Sequence, residues 1–200
     1  RPIASPSLSV LGFWTLIVFA SWTGLSNLVG GPVPAWMMSA GVAASIMAII
    51  PVLSIVLNLH LTLHGNYAAM SWSPTLRFTV FGLYGFLFSG VLATLLALPV
   101  FNAVLQFSDV IAGASLLSLY GFVSMTFFGA IYYIVPRLIN AEWPCVQLIR
   151  WHFWFALSGL LLAFSCLLLG GLLQGFSQYD VASTFRSSIE FVAPFRLMTA

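Results

Sequence analysis

The sequence predicts an all-α fold: a polytopic transmembrane bundle of about five spanning helices followed by the start of a sixth. Three observations lead there. Of 200 residues, 61% are apolar and only 5% are charged, whereas a soluble domain carries roughly a quarter charged residues to keep its surface hydrated. Five apolar stretches are each long enough to cross roughly 30 Å of hydrocarbon. The segments between them hold the Gly, Pro and Asn that break helices. With a mean hydropathy of +1.07, lipid is the solvent that fits.

The first stretch covers residues 8–29 and is closed by Gly30-Gly31-Pro32-Val33-Pro34. The second covers 36–63, and His64-Gly65-Asn66 through Ser73-Pro74 separates it from the third. The third covers 76–98 and stops at Leu98-Pro99, because the residue before a proline is pushed out of helical geometry. The fourth covers 108–135, with Pro136-Arg137 read as its end. Glu142-Trp143-Pro144 precedes the fifth, 147–175. A polar stretch from Ser177 to Glu190 follows, and the last ten residues, from Phe191, read as the beginning of another helix. Several spans exceed the minimum length, which implies tilt or extension beyond the bilayer.

Small residues recur at helix-packing spacing. Ala40, Ala44 and Ala48 share one face of the second helix, and Gly85, Ser89, Ala93 and Ala97 share one face of the third. Such stripes let helix backbones approach closely. No repeat, low-complexity run or linker interrupts the chain, so residues 1–200 read as one membrane domain. No short apolar region with a small-residue cleavage site opens it, so no signal peptide is expected.

Charge sets an expected orientation. With alternating spans, Arg1, Arg77, Arg137 and Arg150 fall on one side, and Arg186 and Arg196 on the other with Asp109, Asp180 and Glu190. The excess of Arg places the N-terminal end in the cytoplasm. Trp36, Trp72, Trp143, Trp151 and Trp154 lie near span ends, where aromatic residues form interfacial belts. A net charge of +2 gives no footprint for nucleic acid. All six basic residues are Arg and no two are adjacent, so there is no polybasic lipid site. Cys145 and Cys166 lack CxxC spacing and suggest neither a disulfide framework nor a zinc site.

Ionisable residues inside spans are costly and mark function by default, and the span interiors here contain almost none. His60 and His64 are metal-ligand candidates: spaced i, i+4 on a helix they face one way. Two ligands alone make an incomplete site, and the alternative is a pair of interfacial imidazoles. His152, in Trp151-His152-Phe153-Trp154, reads as interfacial rather than as a ligand. Asp109 opens the fourth span, where a carboxylate is favoured by the helix dipole. Tyr132 and Tyr133 end that span with no acid or base partner evident. No nucleophilic triad, P-loop or Gly-rich dinucleotide loop is present.

Several strings carry a family resemblance. They are Arg1-Pro2-Ile3 through Leu11-Gly12-Phe13-Trp14, Gly31-Pro32-Val33-Pro34-Ala35-Trp36, and Phe107-Ser108-Asp109. Further on come Leu119-Tyr120-Gly121-Phe122, Gly129-Ala130-Ile131-Tyr132-Tyr133-Ile134-Val135-Pro136-Arg137-Leu138, Trp151-His152-Phe153-Trp154 and Gly171-Leu172-Leu173-Gln174-Gly175. Together they resemble the C-terminal half of the catalytic subunit I of cbb3-type cytochrome c oxidases, in the haem–copper oxidase superfamily. The resemblance makes the spans helices seven to eleven and the last segment part of twelve, within a larger oxidase-like fold.

What the resemblance implies for the site residues is a loss. The family's two adjacent copper-ligand histidines align with Ser26 and Asn27, and its cross-linked tyrosine falls near Ala20. Its His-x-His, one imidazole for each haem iron, aligns with Ala114 and Leu116. A family glutamate falls on Leu92, an arginine on Pro99 and a histidine on Gln106. Gly24 and Gly31-Pro32 bracket the first gap, and Asp109 and Tyr120-Gly121 the second. Alanine and leucine have no lone pair for iron, and hydroxyl and amide groups are poor substitutes for imidazole at copper.

The expectation is therefore an oxidase-like membrane subunit with a degenerate active site, itself binding neither haem nor copper. It would assist assembly or support in a respiratory, electron-transfer complex. Its expected partners are other membrane subunits, cytochrome-bearing ones among them, and lipid. The expected location is the bacterial inner membrane. One alternative is a genuine cytochrome c oxidase-type subunit whose haem is held by an N-terminal half. Another is a carrier or channel using the emptied haem cavities, since apolar cavities take apolar guests.

Overall fold

The computed structural model describes residues 3–28, 30–179 and 184–199, so Arg1 and Asp180 of the charge count lie outside the described residues. Among the described residues every regular element is helical. Five helical stretches are long and apolar enough to cross a membrane: Pro6–Leu28, Ala35–Leu63, Pro74–Ala97, Asp109–Ile139 and Val146–Gln178. Each lies within a few residues of its sequence expectation. The chain is an integral membrane protein.

Helix α1, Pro6–Thr23, starts on Ser5, whose hydroxyl accepts from Leu8 N, and tightens into a 3-10 turn over Gly24–Leu28. The second span is two helices, α2 (Ala35–Met47) and α3 (Ile49–Leu63), meeting at Ala48. Pro51 explains the break: it has no N–H for the Met47 carbonyl, and its ring crowds that group. Helix α4, Pro74–Ala97, is capped by Ser73 and stops at Leu98, whose backbone is extended ahead of Pro99. Pro99 then opens the short α5, Pro99–Leu105.

The fourth span is composite. It consists of α6 (Asp109–Leu116), a π-helical stretch over Leu117–Ser124, and α7 (Met125–Ile139). The expectation that Pro136 ends this span is corrected: α7 runs one turn further and closes on Asn140, in the left-handed region at φ 49. Pro136 removes the donor for the Tyr132 carbonyl, and the Trp143 indole N–H replaces it at 3.2 Å. A proline late in a helix is tolerated when another group satisfies the freed carbonyl.

Helix α8, Val146–Tyr179, is the longest element. The last helix, α9, spans Phe185–Leu197, so the helical start expected at Phe191 lies six residues earlier in the chain. A capping box between Thr184 and Ser187 explains the earlier start.

Lipid supplies no hydrophobic push between helices, so packing and polar contacts must hold the bundle. The largest buried cluster joins α4, α7 and α8 through Phe78, Met125, Ile149, Phe153, Ala156 and Leu160. Val52, Val56 and Leu83 join α3 to α4, and Leu96, Leu105 and Val110 join α4, α5 and α6. The expected small-residue stripe on α4 is used in part: Gly85 lies against the main chain of Gly121, while Ala93 is exposed and lines a cleft.

Asn58 is the main polar clamp, 3% exposed within an apolar run. Its Oδ1 accepts from Ser5 N at 2.9 Å, and its Nδ2 donates to Ser5 O at 2.8 Å and Ser9 Oγ at 2.7 Å. Asn58→Ala is expected to destabilise the α1–α3 pair by about 1–3 kcal/mol, because the Ser5 main-chain groups and the Ser9 hydroxyl lose the side chain that joins them to α3. Denaturation by SDS in mixed micelles measures it; a change below about 0.3 kcal/mol would mean the clamp carries no stability.

Candidate functional site

A cleft of about 450 Å³ opens between α1, the α2–α3 junction, α4 and the α6–π stretch. It gathers residues far apart in sequence. The 3-10 turn brings Ser26 and Asn27, α1 brings Ala20, and α6 brings Ala114. These are three of the four positions where the resemblance puts metal ligands, plus the position of the tyrosine. Leu116 faces elsewhere and packs against the cluster around Phe78 and Met125. Residues two apart on a helix point to opposite sides, so Ala114 and Leu116 address separate spaces.

The 3-10 turn is held from two directions. Gly41 of α2 approaches the main chain of Leu25 and Ser26 so closely that a Cβ there would collide. From α5, the Asn102 amide donates to Ser26 O at 3.4 Å and Leu96 O at 3.0 Å, and Gln106 Nε2 donates to Asn27 O at 3.1 Å. Sequence reading had no role for Asn102, although a buried amide in an apolar run is a usable signal.

The donor set does not suit haem or copper. No His, Cys, Met, Asp or Glu is among the described residues lining the cleft. Ser26 Oγ already donates to Thr23 O at 2.8 Å. Ala114 offers a methyl group. Haem iron and copper in such proteins are held by imidazole, thiolate, thioether or phenolate, and none of these is presented here.

The other sequence candidates lie at the two membrane ends. His60 is in the last turn of α3, but the helix stops at Leu63 and His64 has an extended ψ of 131. The Tyr67 hydroxyl sits 2.7 Å from His60 Nδ1. Among the described residues no three His, Cys, Asp or Glu side chains converge as a metal site.

His152 does find a partner, one that sequence reading missed: the Tyr132 hydroxyl lies 2.8 Å from its Nδ1. The pair sits in an aromatic nest, with the imidazole 4.7 Å from the Phe128 ring and 5.3 Å from the Phe78 ring, centre to centre. Asp109 also gains more than a helix dipole. Its carboxylate receives both Nε and the terminal nitrogen of Arg196, at 2.7 and 2.8 Å, tying α9 to α6. Its main-chain N–H donates to Gln174 Oε1 at 2.9 Å.

A second concavity, about 430 Å³, runs between α4 and α8 and is lined by Phe81, Leu92, Leu117 and Leu160 among others. Leu92, the family glutamate position in the resemblance, therefore sits in an apolar groove rather than in the cleft.

Comparison with known proteins gives a consistent picture. The family described as cytochrome c and quinol oxidase polypeptide I matches residues 1–200. The bacteroid cytochrome c oxidase subunit 1 homolog of Bradyrhizobium diazoefficiens is 30% identical over 207 residues, covering 100% of this chain and 38% of that protein. The cbb3-type cytochrome c oxidase subunit CcoN1 of Stutzerimonas stutzeri is 31% identical over 176 residues, covering 88% and 37%. Cytochrome c oxidase subunit 1 of Rhodobacter capsulatus is 29% identical over 185 residues, covering 90% and 34%. The chain thus spans a little over a third of the length of these relatives.

Proposed function

Because the chain belongs to the cytochrome c and quinol oxidase polypeptide I family, we propose that it is an oxidase-subunit-I-like membrane subunit without oxygen chemistry of its own. It supports or helps assemble a respiratory electron-transfer complex. The observation that carries this reading is the cleft, where Ser26, Asn27 and Ala114 present hydroxyl, amide and methyl groups. None of these holds haem iron, and none substitutes well for imidazole at copper.

The partners are cytochrome-bearing membrane subunits, with lipid on the remaining faces. α1 supports this, since only 6% of its span is buried within the chain while Phe13, Trp14, Ile17 and Trp22 stand exposed. The chain lies in a bacterial inner membrane, and the distribution of arginine supports an orientation with the N-terminal end of this segment in the cytoplasm.

A second reading draws on length. The relatives are more than twice as long as this chain, so a genuine oxidase-type subunit could hold a haem on residues outside these 200. Haemochrome spectroscopy and copper analysis of the purified protein separate the two. The first reading expects well under about one haem and one copper per chain, with cytochromes appearing only as co-purifying subunits. Stoichiometric haem and copper on the isolated chain would reject it.

A further inference from the structure

The groove between α4 and α8 opens to the surroundings of the bundle, for Phe88, Val91, Leu95 and Leu161 line it and stand exposed. Gly85 and the buried Leu117 form its floor, where α4 meets the π-helical stretch. From Phe81 to Leu95 it follows α4 for about 21 Å, at roughly 1.5 Å per residue. The hydrocarbon of one leaflet is roughly 15 Å deep, so the groove is long enough for an acyl chain.

The rows of side chains that line it each run down to an arginine. On α4, Arg77, Phe81, Tyr84, Phe88 and Leu95 follow one another at steps of four, three, four and seven residues. On α8, Arg150, Leu157, Leu161 and Phe164 follow at steps of seven, four and three. Such steps keep side chains on one helix face. The rings of Phe81 and Phe153 meet with centres 6.1 Å apart. Phe81 is four residues beyond Arg77 and Phe153 three beyond Arg150, so both arginines lie at the same end of the groove.

Side chains lean towards the N-terminus of their helix, which carries both guanidiniums from the groove towards headgroup depth. Arg77 reaches that way: its Nε and Nη2 donate to the carbonyls of Met70 and Ser71, ahead of α4. Arg150 is exposed. The ion pairs among the described residues are Arg186–Glu190 and Arg196–Asp109, so no carboxylate there answers either charge. The sequence has no polybasic run, yet the bundle sets two arginines at one mouth.

A carbon groove with uncompensated positive charge at one end has the polarity of a lipid with an anionic head. A zwitterionic lipid would bring a second cation beside the guanidiniums. We infer that the groove binds one anionic phospholipid, with an acyl chain along Phe88 and Leu161 and its phosphate at Arg77 and Arg150. The guanidinium fork matches phosphate oxygens. Tyr84, the lining residue with a polar side chain, lies in the half of the groove nearer the arginines and offers its hydroxyl to the glycerol esters. This site goes beyond the function proposed above and is independent of the cleft, so haem on the chain would leave it standing.

The test uses the protein with its co-purifying subunits, reconstituted in phosphatidylcholine vesicles. These carry equal traces of phosphatidylglycerol or phosphatidylcholine with a diazirine midway along one acyl chain. After photolysis, mass spectrometry maps the label. Phosphatidylglycerol is expected to label residues 81–95 and 160–164 about 25-fold more than phosphatidylcholine does, since each arginine at headgroup depth contributes about fivefold. Arg150→Gln should lower that preference about fivefold. It is the decisive variant, because Arg77 also braces the segment before α4. Arg137→Gln, at the same membrane end but on α7 and stacked on Tyr133, should leave the preference unchanged, which separates a site from general surface charge. Equal labelling by the two lipids, or equal losses in the two variants, would overturn the inference. Absence of groove label from both lipids would show that protein covers the groove and would overturn it as well.

Discussion

Phe78→Ala is expected to cost about 3 kcal/mol of stability, at the low end of the range for a buried aromatic, because lipid contributes no transfer term and the loss is mainly packing. Phe78 is fully buried. Its ring meets Phe153 at 5.1 Å, His152 at 5.3 Å, Tyr132 at 5.5 Å and Phe128 at 5.9 Å, centre to centre. Alanine would leave a hole where α4, α7 and α8 converge and would loosen the Tyr132–His152 hydrogen bond beside it. Phe78→Leu should recover more than half of the loss. SDS titration in bicelles, followed by tryptophan fluorescence, reads both variants. A Phe78→Ala variant within about 0.5 kcal/mol of the parent would show that this cluster does not hold the bundle.

Gly85→Val is expected to be of comparable size by the opposite route. A Cβ at Gly85 would run into the carbonyl of Gly121, which is main chain and cannot swing aside. Gly121 has little room to retreat, since its far side faces Leu117 and Leu160. Overpacking of this kind costs about 1–3 kcal/mol or more. Here it should also force the π-helical stretch over Leu117–Ser124 away from α4. Gly159→Val, at a glycine with open space around it, is the control and should change stability by well under about 1 kcal/mol. Equal effects at the two positions would mean that helix propensity, not the α4–π contact, governs the loss.

The spans were legible because hydropathy is a local property summed over some twenty residues. Ser5, Ser73 and Ser108 also act as ordinary helix caps, chemistry that needs only neighbouring residues. The end of the fourth span was misread because the fate of Pro136 depends on Trp143, across a turn. The start of α9 was misread because a polar stretch, Thr184 to Glu190, is helical through its capping box. At the cleft, the positions of Ser26, Asn27 and Ala114 followed from resemblance alone. Nothing in the chain near Ser26 indicates that Gly41, Asn102 and Gln106 would brace it.

By itself the sequence determined that this chain lives in lipid, where its helices begin and mostly end, and which residue types are available for chemistry. Those depend on composition and on contacts within a turn or two. Only the tertiary structure decided that Tyr132 meets His152, that Arg196 closes on Asp109, and that seven hydroxyls from separate spans share one cleft. Such meetings are set by how helices pack side by side, and in a membrane that packing is chosen by close backbone approach and paired polar groups, which apolar periodicity does not encode.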